Sequence, residues 1–276
     1  MKRVAAIQMC STNNVEENLS TAATLIGQAA AEGAELAVLP EMFVLLGCDS
    51  AEKVEIKEAA GSGKIQHFLS MLAAKHNIWI VAGTIPIACR HPDKIRAACI
   101  VFDNHGDQVA RYDKRHLFDV TLSETESYRE SDTTEAGDHI PVVIATPVGK
   151  LGLCVCYDIR FPEIFAELNA QGAEIIAIPC AFTVKTGEAH WELLARSRAI
   201  DTFSYIIGAC QGGTHSNGRK THGHTMIVNP WGEVMAEVKN PGIGITYAEI
   251  DLERLYEIRK QIPVLSPVDP THNEVV

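Results

Sequence analysis

The sequence predicts an α/β fold in which two mixed β-sheets pack together with helices outside, a layered sandwich. Short apolar runs of strand length recur along the whole chain, and segments of helical spacing lie between them. Strand–helix units alternate with β-hairpins in both halves, so the halves look loosely alike, though their residues show no repeat. At 276 residues with 46% hydrophobic content, the chain has ample material for a large core. No linker or low-complexity tract marks a boundary. The expectation is a single domain over 1–276, with 261–276 as an extended, Pro-containing arm.

Val4 to Met9 reads as the first strand. Asn14 with Glu17 three residues on has the capping-box pattern, and an Ala-rich helix follows as far as Gly33. Leu36 to Leu39 is a short buried strand that stops at Pro40-Glu41. Ile65, Phe68, Leu69, Leu72 and Ala73 keep helical spacing, so a second helix turns one face inward. Ile78 to Ile85 and Ala97 to Phe102 are strands, and the turn at Asn104 to Asp107 returns the chain through Gln108 to Tyr112. Lys114 to Asp138 is long, polar and weakly periodic, as functional or mobile loops are. Val142 to Thr146 and Leu151 to Val155 form a hairpin through Gly149, and Pro162 opens a helix that Gly172 ends. Beyond it come a strand at Ile175 to Ile178, a helix at Trp191 to Thr202, and strands at Tyr205 to Ala209 and Thr225 to Val228. Asn229 to Gly232 is a turn, Glu233 to Val238 and Ile243 to Ile250 are strands, and Leu252 to Lys260 is the last helix.

A formal net charge of −11, with no basic run, argues against a nucleic-acid partner. The N-terminal apolar run is too short for a signal peptide and is interrupted by Gln8, and no segment approaches membrane-spanning length. Eight cysteines without CxxC pairing, several in apolar runs, read as buried thiols in a reducing, cytoplasmic compartment.

Chemistry concentrates at three strand ends. In Gly152 to Glu163 an apolar run stops at Cys156, a charged turn follows, and Pro162 starts a helix. A thiol at a strand–helix elbow can be activated as a nucleophile, with the helix dipole favouring the thiolate. Glu41 follows Leu-Pro at a second strand end and Lys114 follows Tyr112 at a third. A carboxylate in a dry pocket can shuttle a proton, and an ammonium can steady an oxyanion. Each residue alone has an ordinary reading: a solvated loop charge, a surface cluster in Asp113 to His116, a structural cysteine like Cys154.

Taken together, Leu39 to Phe43, Tyr112 to Asp119 and Gly152 to Glu163 resemble, in order, the three signature blocks of the nitrilase, or carbon–nitrogen hydrolase, superfamily. The likeness continues through Gly187 to Glu192 and Asn229 to Val234, and so spans nearly the whole chain. It implies a four-layer αββα sandwich and a triad of Glu41 (general base), Lys114 (oxyanion stabilisation) and Cys156 (nucleophile). The Tyr157 backbone N–H would complete the oxyanion hole. It also points to a second glutamate in the long loop, best matched by Glu130, with Glu124 and Glu126 as competitors. The implied reaction converts a linear amide to an acid and ammonia through a thioester, with no metal and no organic cofactor.

Within the superfamily, Cys156 to Glu163, Ala189 to Asp201 and Cys210 to His215 with Gly223-His224 are most similar to the deaminated glutathione amidase branch. The ω-amidase branch, acting on α-ketoglutaramate and α-ketosuccinamate, is the near neighbour. Phe182 and Thr183, after Cys180, are candidate substrate-binding residues, and the loop after Cys210 is a further specificity element. Arg160 can hold a carboxylate, but an ion pair to Asp158 or Glu163 that fixes the elbow is the stronger expectation. The family likeness also implies a homodimer or higher homo-oligomer, paired through the helix from Pro162 and the C-terminal arm.

Rival readings lack support in the residues. His215, His222 and His224 have no completing carboxylate or cysteine spacing for a metal. No Gly-x-Ser-x-Gly elbow is present, and Gly61 to Lys64 lacks Walker spacing. An acyltransferase would share the thioester, and a binding protein on the same fold would have no need of all three groups.

Overall fold

The computed structural model describes residues 1–47, 51–124, 126–138 and 140–263. Most of the expected arm, 264–276, and Cys48 lie outside them. The first half runs β1 (Lys2–Gln8), α1 (Val15–Ala31), β2 (Leu36–Val38), a short α2 (Glu52–Glu55), α3 (Lys64–His76), β3 (Trp79–Val81), β4 (Ile85–Ala88), β5 (Ile95–Phe102) and β6 (Gln108–Asp113). A small hairpin, β7 (Asp119–Thr121) and β8 (Ser127–Arg129), leads to a 3₁₀ turn at Glu130–Asp132. The second half is β9 (Val143–Thr146), β10 (Gly149–Leu153), α4 (Pro162–Ala170), β11 (Ile175–Cys180), α5 (Val184–Thr186), α6 (Glu192–Thr202) and β12 (Tyr205–Cys210). It ends with β13 (Gly212–Thr214), β14 (Lys220–His222), β15 (Met226–Val228), β16 (Val234–Glu237), β17 (Gly244–Ile250) and α7 (Leu252–Gln261).

The first sheet has the order β17-β1-β2-β3-β5-β4, with β6 also on β5, and the second has the order β16-β15-β12-β11-β10-β9. Each centres on three parallel strands flanked by antiparallel ones. β1 shows the layering in its alternation. Ala5 and Ile7 face Leu25, Ile26, Leu69 and Leu72 of α1 and α3, whereas Val4 and Ala6 join a core with Leu153, Ile176 and Ile206 of the second sheet. Trp191 and Phe165 on the α4–α6 side continue that second core. The result is helices, sheet, sheet, helices, the four-layer sandwich that the sequence implied. Because both faces of the parallel strands are covered, they read as unbroken apolar runs.

Asn14 caps α1, accepting from Glu17 N at 3.1 Å, but Glu17 turns to the Thr12 hydroxyl, so only half of the expected capping box forms. The strand expected over Ile78 to Ile85 is two strands on one edge of β5, with the register shifting by one residue between them. Gly83 makes the break at φ 52°, and a side chain there would collide with the Pro40 carbonyl. Several short elements escaped the sequence reading, among them α2, the β7–β8 hairpin inside the expected polar loop, and α5. A π-helical segment, Gly187–Trp191, joins α5 to α6, and the hairpin β13–β14 follows β12.

Candidate active site

Glu41 lies three residues beyond β2, where that strand abuts the Gly83 break. Met42 has a left-handed backbone, φ 57°, and its N–H donates to Thr84 Oγ1 at 2.9 Å. Gln211 Nε2 donates to the Glu41 carbonyl at 3.1 Å and to Ser11 Oγ at 2.8 Å. The loop is thus pinned by the end of β12, and the Glu41 side chain is turned inward at 4% exposure. A non-glycine residue at positive φ stores strain that the surrounding bonds must hold, and such positions cluster at functional sites.

Lys114 follows β6 and is 2% exposed. Its Nζ is 2.7 Å from Glu41 Oε1 and 2.8 Å from Glu130 Oε2. Glu130 also accepts from Phe118 N at 2.7 Å, which folds the polar loop back over the site. Of the loop glutamates, Glu130 therefore occupies the inner position. Glu126 accepts from the Tyr128 hydroxyl at 3.0 Å further out, and Glu124 is exposed. Burial pulls the Lys114 ammonium toward neutrality, but the Glu130 and Glu41 charges outweigh it and hold its pKa well above the ordinary value. Burial pushes the Glu130 carboxyl up, yet the Lys114 and Lys53 charges bring it below the usual range.

Cys156 is at φ 45°, where β10 has ended and a 3₁₀ turn, Cys156–Arg160, begins. Asp158, fully buried, staples this elbow to the Lys114 loop. It accepts from Val155 N at 3.0 Å, from Tyr112 Oη at 2.8 Å and from His116 N at 3.0 Å, and it lies 2.9 Å from His116 Nδ1. The His116 ring stacks on Phe161 at 3.5 Å. The Ala181 N–H donates to Cys156 Sγ at 3.5 Å. The helix dipole offers this thiol little. α4 starts only at Pro162, and the Cys180 hydrogen bond, burial and the Glu41 charge together hold the Cys156 pKa well above the ordinary value against the pull of Lys114. The buried thiol therefore favours its protonated form, and attack calls for a base beside it. Cys154 sits two residues back in the fully buried core.

Glu41, Lys114, Glu130, Cys156 and Phe182 share one cavity of about 260 Å³. Thr183 does not reach it. Its hydroxyl is spent as the N-cap of α5, accepting from Thr186 N, and Thr186 lines the cavity in its place. Arg160 also differs from its expected role. Asp158 is already committed, and no ion pair to Glu163 is present among the described residues. The guanidinium instead lies over Phe182 at 5.5 Å and Tyr157 at 5.9 Å and faces the cavity. His215 is tied to the Ser11 carbonyl and the Thr221 hydroxyl, and among the described residues no group of three metal-ligating side chains converges.

Several cavity residues escaped the sequence reading: Lys53, Arg129, Asn217 and Arg219. Lys53 comes from α2, a single turn with no buried residue to give a periodicity signal. Arg219 comes from the β13–β14 turn, in the loop after Cys210 already marked as a specificity element, but there its side chain looks like any surface charge.

A carbon–nitrogen hydrolase family model matches residues 3–260. The deaminated glutathione amidase of Yersinia enterocolitica is 42% identical over 99% of this chain and 93% of its own. The crystal structure of Saccharomyces cerevisiae Nit3, a member of branch 10 of the nitrilase superfamily, is 33% identical with a TM-score of 0.85, covering 96% of this chain and 95% of its own. The Caenorhabditis elegans NitFhit structure is 34% identical with a TM-score of 0.89, covering 99% of this chain, which spans 65% of that longer one.

Proposed function

The chain belongs to the carbon–nitrogen hydrolase family, and from that premise we propose that it is a thiol amidase whose substrate is deaminated glutathione. Its reaction class is hydrolysis of carbon–nitrogen bonds other than peptide bonds. The observation that carries the mechanism is a buried thiol at a strained strand end, facing the same cavity as a buried ammonium held between two carboxylates.

Glu41 takes the Cys156 proton as Sγ bonds to the amide carbon. Lys114 Nζ and the Tyr157 N–H stabilise the oxyanion, charge that develops only in the transition state. The proton passes to the amide nitrogen, the C–N bond breaks, and the amine leaves a thioester behind. Glu41 or Glu130 then deprotonates a water that attacks the thioester, releasing the acid and restoring the thiol.

Charge supports an acidic substrate. Among the described residues the cavity is lined by Lys53, Lys114, Arg129, Arg160 and Arg219 against Glu41 and Glu130, in a chain of net charge −11. Arg160, free of an acidic partner among the described residues, is suited to a keto-acid carboxylate. Deaminated glutathione carries carboxylates at both ends, and cleavage of its inner amide gives 2-oxoglutarate and cysteinylglycine. The second reading is an ω-amidase acting on α-ketoglutaramate or α-ketosuccinamate, which release ammonia. A panel of these three compounds with glutamine, asparagine and a simple nitrile, assayed for oxo acid and ammonia, separates the two. Deaminated glutathione is expected to have the highest kcat/KM; activity on the nitrile alone would overturn the amidase reading.

No helix among the described residues is long and apolar enough to cross a membrane. Among the described residues seven cysteines are free, five of them buried, which supports the reducing, cytoplasmic setting as part of this proposal. We extend it to a homodimer formed beside α4. Leu193 and Ile200 of the adjacent α6, with Trp231, leave large apolar side chains exposed there. Light scattering at micromolar concentration should give twice the 30.1 kDa chain mass, and a monomer would count against it.

A further inference from the structure

We propose that Arg219 determines specificity by binding a carboxylate on the amine half of the substrate, at the mouth of the cavity. This rests on the amidase reading above and extends it from one carboxylate to two.

Arg219 lies on the turn between β13 and β14. Its N–H donates to Asn217 Oδ1 at 2.9 Å, and Asn217 Nδ2 in turn donates to the Gly47 carbonyl at 2.6 Å, so the turn is tied to the Glu41 loop. The guanidinium lies over the Tyr128 ring at 5.1 Å, and Nη2 donates to the Ala181 carbonyl at 3.3 Å. Ala181 is the residue whose own N–H reaches Cys156 Sγ, so Arg219 is anchored beside the nucleophile. Arg219 Nε is buried and has no hydrogen-bond partner among the described residues, and no acidic side chain there pairs with the guanidinium. A buried donor left unpaired is costly, and the Nε edge of a guanidinium is one that a carboxylate fills with two parallel bonds.

Position decides which half of the substrate supplies that carboxylate. Arg219, Tyr128 and Asn217 line the inner cavity and also an outer groove of about 730 Å³. The groove continues over exposed Lys185, Glu188 and Lys220. The acyl half must stay inside, because it becomes bonded to Cys156 Sγ. The amine half is the one that departs, and the mouth is its way out. An anion held at Arg219 therefore belongs to the leaving amine, and the amide favoured is a substituted one with an acidic end rather than a primary amide.

The test compares two amides that differ only at that end: deaminated glutathione and its C-terminal carboxamide. The wild-type protein should prefer the carboxylate by about 10–100-fold in kcat/KM, the range of a charge-assisted hydrogen bond. In Arg219→Met the ratio should fall close to one. In Arg219→Lys it should be intermediate, because charge remains without the fork. The ratio is taken within one protein, so partial misfolding cancels, and the lysine variant keeps the test open if the methionine variant is not recovered. A methionine variant that keeps the wild-type ratio, a lysine variant indistinguishable from wild type, or a wild-type protein indifferent to the two compounds would overturn the role of Arg219 and leave the amidase intact. A wild-type protein that cleaves primary amides but neither of these compounds would overturn the substrate reading and this one together.

Discussion

Cys156→Ala is expected to abolish amide hydrolysis, lowering kcat by at least roughly ten-thousand-fold, without loss of fold. The expected loss is large because, among the described residues, no other thiol lines the cavity. Cys154 is fully buried in the core, and Cys180 sits behind Cys156 at the end of β11. Stability should change little, since the elbow is held by Asp158 and not by the thiol. Circular dichroism and the unfolding midpoint check the fold, and substantial turnover in the variant would remove Cys156 from the nucleophile's role. In the wild-type protein, iodoacetamide should label Cys156 well ahead of Cys154. The sign of the pH dependence follows from the raised thiol pKa. Alkylation uses only free thiolate, and the folded site disfavours it, so labelling should keep accelerating above about pH 9, where an ordinary cysteine levels off. Turnover should not need that pH, because Glu41 receives the proton within the complex.

Lys114→Ala is expected to lower kcat/KM by at least roughly a thousand-fold, with Lys114→Arg also severely impaired but less so. Removing the ammonium takes away oxyanion stabilisation. It also leaves Glu41 and Glu130 facing the same cavity without the cation that lies 2.7 and 2.8 Å from them. Stranding buried carboxylates typically costs about 3–5 kcal/mol, so the unfolding midpoint should fall as well. The direction with pH is defined. In the wild-type protein the Glu130 pKa is depressed, so its contribution to stability is present above the unfolded carboxyl pKa and is lost as pH falls through the folded value. In the alanine variant the burial of Glu130 is no longer opposed by Lys114, so its folded-state pKa rises and less of this stabilisation remains at high pH. The midpoint gap between the two proteins should therefore be wider at pH 8 than at pH 5. Near wild-type kcat/KM in both variants would show Lys114 to be dispensable.

Much of the fold was legible because its signals are local. The apolar runs of β1, β11 and β12 are continuous because both faces of each strand are buried, and α1 carries its cap and its inward stripe in adjacent residues. The break at Gly83 was not legible as a break. Val81 and Ile85 are both apolar, and the bulge exists because β5 pairs with both segments while the Pro40 carbonyl lies against Gly83. That the last strand, β17, closes onto the first was equally silent, since pairing between residues 2 and 250 leaves no local trace.

The candidate site divides the same way. The sequence by itself determined which residue types stand at the ends of β2, β6 and β10, because strand ends and the turns after them are written in consecutive residues. On that ground Glu41, Lys114 and Cys156 were candidates with ordinary alternatives; the family resemblance joined them into a triad and pointed to Glu130, with Glu124 and Glu126 as competitors. Only the tertiary structure decided which loop glutamate meets Lys114, that Asp158 holds the elbow rather than Arg160, and that Thr186 rather than Thr183 faces the cavity. It alone shows that Lys53 and Arg219, ordinary surface charges in sequence, turn inward beside the nucleophile. Direction, burial and charge balance depend on contacts across the fold, from Lys114–Glu130 at 16 residues and Tyr112–Asp158 at 46 to Gln211–Glu41 at 170, which local patterning does not record.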